Sequence, residues 1–162
     1  MFSHLLTAFT KKKDDFVTLN IKSSVDSPPR PYVPSERVLI GKETGAHVSI
    51  QVTERSGADT LAAQVTVSVH IKNARRVAFR AGELRRFAAD IDNVRRRETG
   101  VAQLTIIPDS LGFNILFDEN RQLIFALRYR RIPALAVDTI STFSLDPAEL
   151  ETIIDRLKAA DQ

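Results

Sequence analysis

The chain has 162 residues, of which 43% are hydrophobic and 27% are charged, with a formal net charge of +3 at pH 7. This length and composition are typical of one globular domain that folds without disulfides or structural metals. The lack of cysteine excludes thiol catalysis, CxxC redox chemistry and thiolate zinc sites. No apolar run approaches the roughly 18 residues of a membrane-spanning helix, and the N-terminus lacks the charge order of a secretory signal.

Residues 1–45 are predicted to extend a single domain that covers residues 1–162. A short N-terminal helix is expected because four apolar side chains share one helical face: Phe2, Leu5, Leu6 and Phe9. Residues 17–21 alternate as a strand does, and prolines between residues 28 and 34 then require a loop or a sheet edge.

The body, residues 46–162, begins with two runs of strand alternation, at residues 48–52 and 65–71. Gly57 lies in a turn-like segment between them, so the two runs are predicted to pair as antiparallel strands with one wetted face.

Residues 83–97 change to helical spacing, and Gly100 provides a stop signal. Strand periodicity then resumes in three runs, at 104–106, 111–117 and 123–129, and the breaks at 108–112 and 118–121 are short enough for hairpins.

A last strand at residues 140–145 leads into a final helix, for which Asp146 is a cap, Pro147 fits the first position and Glu149 completes a capping box. The expected fold class is α+β, with a largely antiparallel meander sheet packed against two main helices and a short N-terminal helix.

The sequence lacks several common catalytic and cofactor-binding motifs. The three histidines, His4, His47 and His70, lack metal-ligand spacing, although His47 and His70 could face each other on adjacent strands. The GxSxG, P-loop and GxGxxG patterns are absent, and paired carboxylates such as Asp118 and Glu119 fall in turns or on a helix flank. We therefore predict no catalytic residues, no cofactor and no metal.

Arginine clusters are the candidate binding feature. Residues 75–97 hold eight arginines against three carboxylates, and a second cluster follows near residue 130. Arginine captures carboxylates and phosphates in a bidentate manner and is enriched at interfaces. These clusters fit a solvated face, a protein-binding surface or a nucleic-acid contact, although two tyrosines and no tryptophan supply little stacking for single strands. The candidate partner-binding residues are Arg85, Arg86, Arg95, Arg96, Arg97, Arg128, Arg130 and Arg131.

Three segments of residues 60–161 carry a family resemblance: the helix start at residues 80–91, the turn and strand at 108–115, and the strand-to-helix junction at 143–150. Together they resemble the WapI-type immunity proteins of bacterial polymorphic and contact-dependent toxin systems. In this comparison Asp109 to Gly112 match the turn, and Phe143, Leu145 and Leu150 match the final strand and helix entry. The tryptophans common in such proteins are absent, and residues 1–45 have no counterpart.

The resemblance implies a cytoplasmic, non-enzymatic protein that binds and blocks one cognate toxin. Its polar sheet face or its arginine-rich helix flank would then meet an acidic partner. The sequence leaves other hypotheses open: a nucleic-acid-associated or regulatory factor, an enzyme of unrecognised type, or an assembly component that recruits another copy through a sheet edge. It also leaves the oligomeric state open.

Overall fold

The computed structural model describes residues 37–69, 72–107, 111–130 and 138–162, all within the compact unit Tyr32–Gln162. The expected N-terminal helix, the strand at 17–21 and the proline-rich segment lie outside the described residues. The described part has two four-stranded antiparallel sheets and two α-helices, which confirms the α+β fold class. The single domain over the whole chain stays a prediction.

The first sheet contains β1 (Val38–Gly41), β2 (His47–Ser56), β3 (Thr60–Ser68) and β4 (Lys72–Arg80), paired in chain order. Alternation gives the sheet one apolar face and one polar face. The apolar face is buried, and it includes Val38, Ile40, Val48, Ile50, Leu61, Val65 and Phe79.

The predicted antiparallel pair is confirmed, since Ile50 lies opposite Val65 across β2 and β3. Gly57, with φ of +70°, lies in the turn that joins them. The residue opposite His47 in this register is Ser68, and whether His47 and His70 face each other stays untested. His70 lies outside the described residues.

The second sheet contains β5 (Val101–Thr105), β6 (Leu111–Phe117), β7 (Leu123–Arg130) and β8 (Asp138–Ser144), again in chain order. This confirms the predicted meander and adds the last strand to it.

Asp118 shapes the hairpin between β6 and β7. Its carboxylate accepts hydrogen bonds from the N–H groups of Asn120, at 2.9 Å, and Gln122, at 2.8 Å. The side chain thus forms a turn, as the sequence predicts.

The helices are α1 (Glu83–Arg97) and α2 (Leu150–Ala160), and within the described residues neither is long and apolar enough to span a membrane. The predicted stripe of α1 is buried: Leu84, Phe87, Ala88, Ile91 and Val94. The helix ends before the expected stop at Gly100, because Glu98 itself adopts a left-handed conformation with φ of 52°. Before α2, a 3-10 turn (Pro147–Glu149) is capped by Asp146, which accepts a bond from the Ala148 N–H at 2.9 Å.

The two sheets share one core with both helices. Ala78 of β4 and Ile107, after β5, exchange two backbone hydrogen bonds of 2.8 and 2.9 Å. Phe143 of β8 packs beside Gly41 of β1, where an added methyl would lie 2.8 Å from the Phe143 ring. Only glycine fits that approach, and its φ of +95° also favours glycine.

Candidate functional site

The face of the first sheet that lies opposite its apolar face carries rows of polar side chains. Cross-strand pairing arranges it in three rows, which begin at His47, Ser49 and Gln51 of β2. We define the polar face by these outward positions: His47, Ser49, Gln51, Gln64, Thr66, Ser68, Lys72 and Arg76.

A cavity of about 400 Å³ lies on the polar face, and Arg37 and Glu43 complete its lining. Two of its residues are buried, with exposures of 7% for His47 and 5% for Ser49. The His47 Nδ1 lies 3.0 Å from the Gly45 carbonyl oxygen. Because a carbonyl only accepts, Nδ1 carries the proton, and Nε2 is the acceptor of the neutral ring.

The polar face has a positive charge. Three cations, Arg37, Lys72 and Arg76, stand against one carboxylate, Glu43, so the local net charge is +2 with His47 neutral. Arg37 pairs with Glu43 at 3.2 Å, whereas Lys72 and Arg76 have no carboxylate partner among the described residues. Hydroxyl, amide and cationic groups on a preformed sheet suit recognition of a polar, acidic surface.

The polar face lacks the contacts of a reacting centre. Among the described residues, no three His, Cys, Asp or Glu side chains are grouped to hold a metal ion. His47 makes its hydrogen bond with a backbone carbonyl, and none of the described hydroxyl groups is bonded to its ring. Nucleophilic catalysis needs a hydroxyl or thiol within hydrogen-bond reach of its base, and the described residues of the polar face show no such pair.

Most candidate arginines of α1 have intramolecular partners. Arg86 contacts Glu83 at 2.8 Å and Asp90 at 3.1 Å, and its bond to Glu83 raises the pKa of Arg86. The Arg85 guanidinium donates to the backbone oxygen of Asp161 at 3.0 Å.

At the other end of α1, Arg95 and Arg96 both contact Asp92, at 2.6 and 2.7 Å. Arg97 is exposed and has no ion-pair partner in the described part of the chain. These pairs neutralise much of the positive charge that the sequence places on this helix.

The second candidate cluster lies on a different element. Arg128 and Arg130 are half-buried on β7, and Arg131 lies outside the described residues. Arg128 packs over Gly112 of β6. A Cβ added to Gly112 would lie 3.1 Å from the Nε of Arg128. The candidate arginines are therefore divided between a helix and the second sheet, and their joint role in partner binding stays a prediction.

Sequence reasoning identified a wetted face on β2 and β3 but not the cations that complete it. Lys72 and Arg76 join the polar face only because residues 72–80 form β4. The available signal was the alternation of Val77 and Phe79 with more polar neighbours.

Asp92 gives a pH-dependent prediction. The hydrogen bond from Arg95, together with the charge of Arg96, lowers the pKa of Asp92 below 3.8. A carboxylate whose pKa is lower in the folded state stabilises the fold above its unfolded value and loses that contribution as the pH falls through the folded value. We expect Asp92→Asn to lower stability near neutral pH and to reduce the loss of stability as the pH falls through and below the usual range of a carboxylate pKa, measured by urea unfolding across pH.

The control for this prediction is the same substitution in a protein that carries Arg95→Met and Arg96→Met. When Asp92 has lost both cationic partners, replacing it with Asn should no longer change how the free energy of unfolding depends on pH. If Asp92→Asn had the same effect in the protein without Arg95 and Arg96, the pH dependence of stability would have to come from another contact.

In the comparison with protein families, a family model described as the immunity protein WapI-like family matches residues 39–161. The match extends the resemblance seen at residues 60–161 back to β1. Searches of curated proteins and of solved structures gave no significant match. Because the matched residues make up well over half of the sequence, the chain belongs to the WapI-like immunity protein family.

Proposed function

We propose that this protein binds and neutralises a cognate bacterial toxin, and that the polar face of the first sheet meets the toxin. Membership of an immunity protein family supports the first part. The unpaired cations Lys72 and Arg76, beside a ladder of hydroxyl and amide groups, support the second. The protein acts as a non-enzymatic inhibitor in the bacterial cytoplasm, and its partner presents carboxylates to this face.

The polar face is favoured over the flank of α1 on energetic grounds. Four of the five candidate arginines on α1 already donate to groups of this chain. A partner that recruited them would have to replace those contacts. Arg76 needs no such exchange, because it forms no ion pair with the described part of the chain.

An interface of standard size buries about 1,200–2,000 Å² in total, and a few anchors carry most of its energy. The three rows of the polar face, together with the rim at Arg37 and Glu43, would form part of such an interface. Within it, Arg76 is the expected anchor, because it can form a bidentate contact with a carboxylate.

The test uses the toxin-like protein encoded beside this gene, with one-to-one binding measured by calorimetry and neutralisation measured by survival of co-expressing cells. Arg76→Glu is expected to weaken binding about 100-fold, because it replaces the attraction of the expected anchor by a repulsion. The matched control is Arg97→Glu, which reverses an exposed, unpaired charge on α1 and should change affinity less than about threefold.

The outcomes separate the two parts of the proposal. Loss of binding in Arg97→Glu with full binding in Arg76→Glu would move the interface to α1 and to the other candidate arginines. Absence of any toxin complex, with recovery of nucleic acid that is lost steeply with added salt, would contradict the immunity function itself.

A further inference from the structure

A second cleft lies between the two sheets, near the start of β4. Its volume is about 460 Å³, within the range of roughly 300–1,000 Å³ found for small-ligand sites. The cleft lies at the first residues of β4, whereas α1 begins just after the last residue of that strand. Its walls are mainly apolar and are formed by Val65, Val67, Val69, Leu111, Leu127 and Tyr129.

Two cations, Lys72 and Arg75, line this apolar cleft. The Arg75 guanidinium carbon lies 4.4 Å from the centroid of the Tyr129 ring, and the same guanidinium donates a hydrogen bond to the Tyr129 hydroxyl. Stacking on the ring holds the guanidinium in place and leaves its other N–H groups for a ligand.

The described residues supply no carboxylate to pair with these cations. None of the described residues lining the cleft is acidic, and neither Lys72 nor Arg75 forms an ion pair with the described part of the chain. Arg75 is half-buried, whereas Lys72 is exposed, so the cost of desolvation falls on Arg75. Charged side chains removed from water are normally paired, because desolvation of an unpaired charge is costly. The site therefore favours an anionic group on its occupant.

We propose that the cleft binds a small amphiphilic carboxylate of the medium-chain fatty-acid class. Its alkyl tail packs against Val67, Leu111 and Leu127, and its carboxylate bonds to Arg75 and Lys72. Asn73, Thr139 and Ser141 also line the cleft and add polar groups. The apolar side chains that line this cleft suit an alkyl tail, whereas the cavity on the polar face is lined by hydroxyl, amide and charged groups.

This inference does not rest on the proposed toxin interface. Arg75 and Arg76 are neighbours on β4, but alternation directs them to opposite faces of the first sheet. Lys72 is the one residue shared by the linings of the two cavities. Variants at Arg75 and Arg76 thus separate the two proposals.

The test titrates the full chain with hexanoate, octanoate and decanoate below their micelle-forming concentrations and measures binding by calorimetry. We expect saturable one-to-one binding, with affinity rising about fourfold for each added methylene until the cleft is filled. Decanol, which has the same tail without the charge, should bind at least tenfold more weakly than decanoate. Absence of saturable decanoate binding, or equal affinities for decanol and decanoate, would overturn the proposal.

Two variants locate the site. Arg75→Met removes the charge and keeps an apolar chain beside Tyr129, so decanoate affinity should fall at least tenfold while decanol affinity stays the same. Arg80→Met, at the exposed end of the same strand, is the matched control and should leave decanoate binding unchanged. Equal binding by the two variants would overturn the assignment of the carboxylate to Arg75.

Val67→Phe supplies an independent measurement in case Arg75→Met fails to fold, which urea unfolding would show. The larger ring occupies the cleft and leaves its charge intact. Decanoate and decanol affinities should therefore fall together, and unchanged binding of either would overturn the assignment of the tail to the cleft.

Discussion

Phe125→Ala is expected to lower the free energy of unfolding by about 3–5 kcal/mol. Phe125 is fully buried on β7, and its ring centroid lies 5.3 Å from that of Phe113 and 4.9 Å from that of Phe143. Truncation removes buried apolar surface, leaves a cavity between β6 and β8, and deletes two aromatic contacts. The three rings line the second sheet where β8 approaches Gly41 of β1, so the loss weakens both sheets.

Urea unfolding followed by circular dichroism measures this loss. Phe117→Ala is the matched control: Phe117 is half-buried near the end of β6, so less surface and less packing are lost. We expect a cost of about 1–2 kcal/mol for the control. Equal costs for the two variants would show that Phe125 is not at the centre of the core.

Strong local periodicity explains which elements could be predicted from the sequence. The stripe of α1 and the alternation of β6 and β7 repeat over enough residues to fix both the element type and its buried face. The turn at Asp118 and the cap at Asp146 are also local, because each side chain bonds to backbone two to four residues away.

The strands β1 and β4 were not predicted, for two different reasons. β1 has four residues, and Val38 and Ile40 are too few to establish a period. In β4, Arg75 occupies a position on the apolar face, opposite Val65, which breaks the expected pattern. Its partner Tyr129 is 54 residues away, and no local pattern reveals that contact.

The candidate surface shows the same division between local and distant information. Arg86 and Asp90, like Asp92 and Arg96, are four residues apart on one helix, so their neutralisation was open to prediction from spacing alone. By contrast, the polar face forms only when three strands pair in register. Arg76 belongs to it because it lies opposite Gln64 of β3. Counting charges along the sequence therefore favoured α1, whereas pairing in three dimensions favours the first sheet.

The start of α1 depends on a residue from the far end of the described chain. Gly82, the N-cap residue of α1, has no side chain to cap the helix. Instead, the Asp161 carboxylate accepts hydrogen bonds from the N–H groups of Gly82 and Arg85, both at 2.9 Å. Asp161 is buried, with 4% exposure, and it follows the end of α2. One carboxylate thus caps the first helix and ties it to the second.

Asp161→Ala is expected to lower the free energy of unfolding by about 2–3 kcal/mol, because two partly buried N–H groups lose a charged acceptor at a helix N-terminus. Urea unfolding measures the loss, and faster hydrogen exchange of the Gly82 and Arg85 amides locates it. Asp155→Ala on the exposed side of α2 is the matched control, with a change within about 0.5 kcal/mol. Equal stabilities of the two variants, or unchanged exchange at both amides, would show that α1 does not depend on this cap.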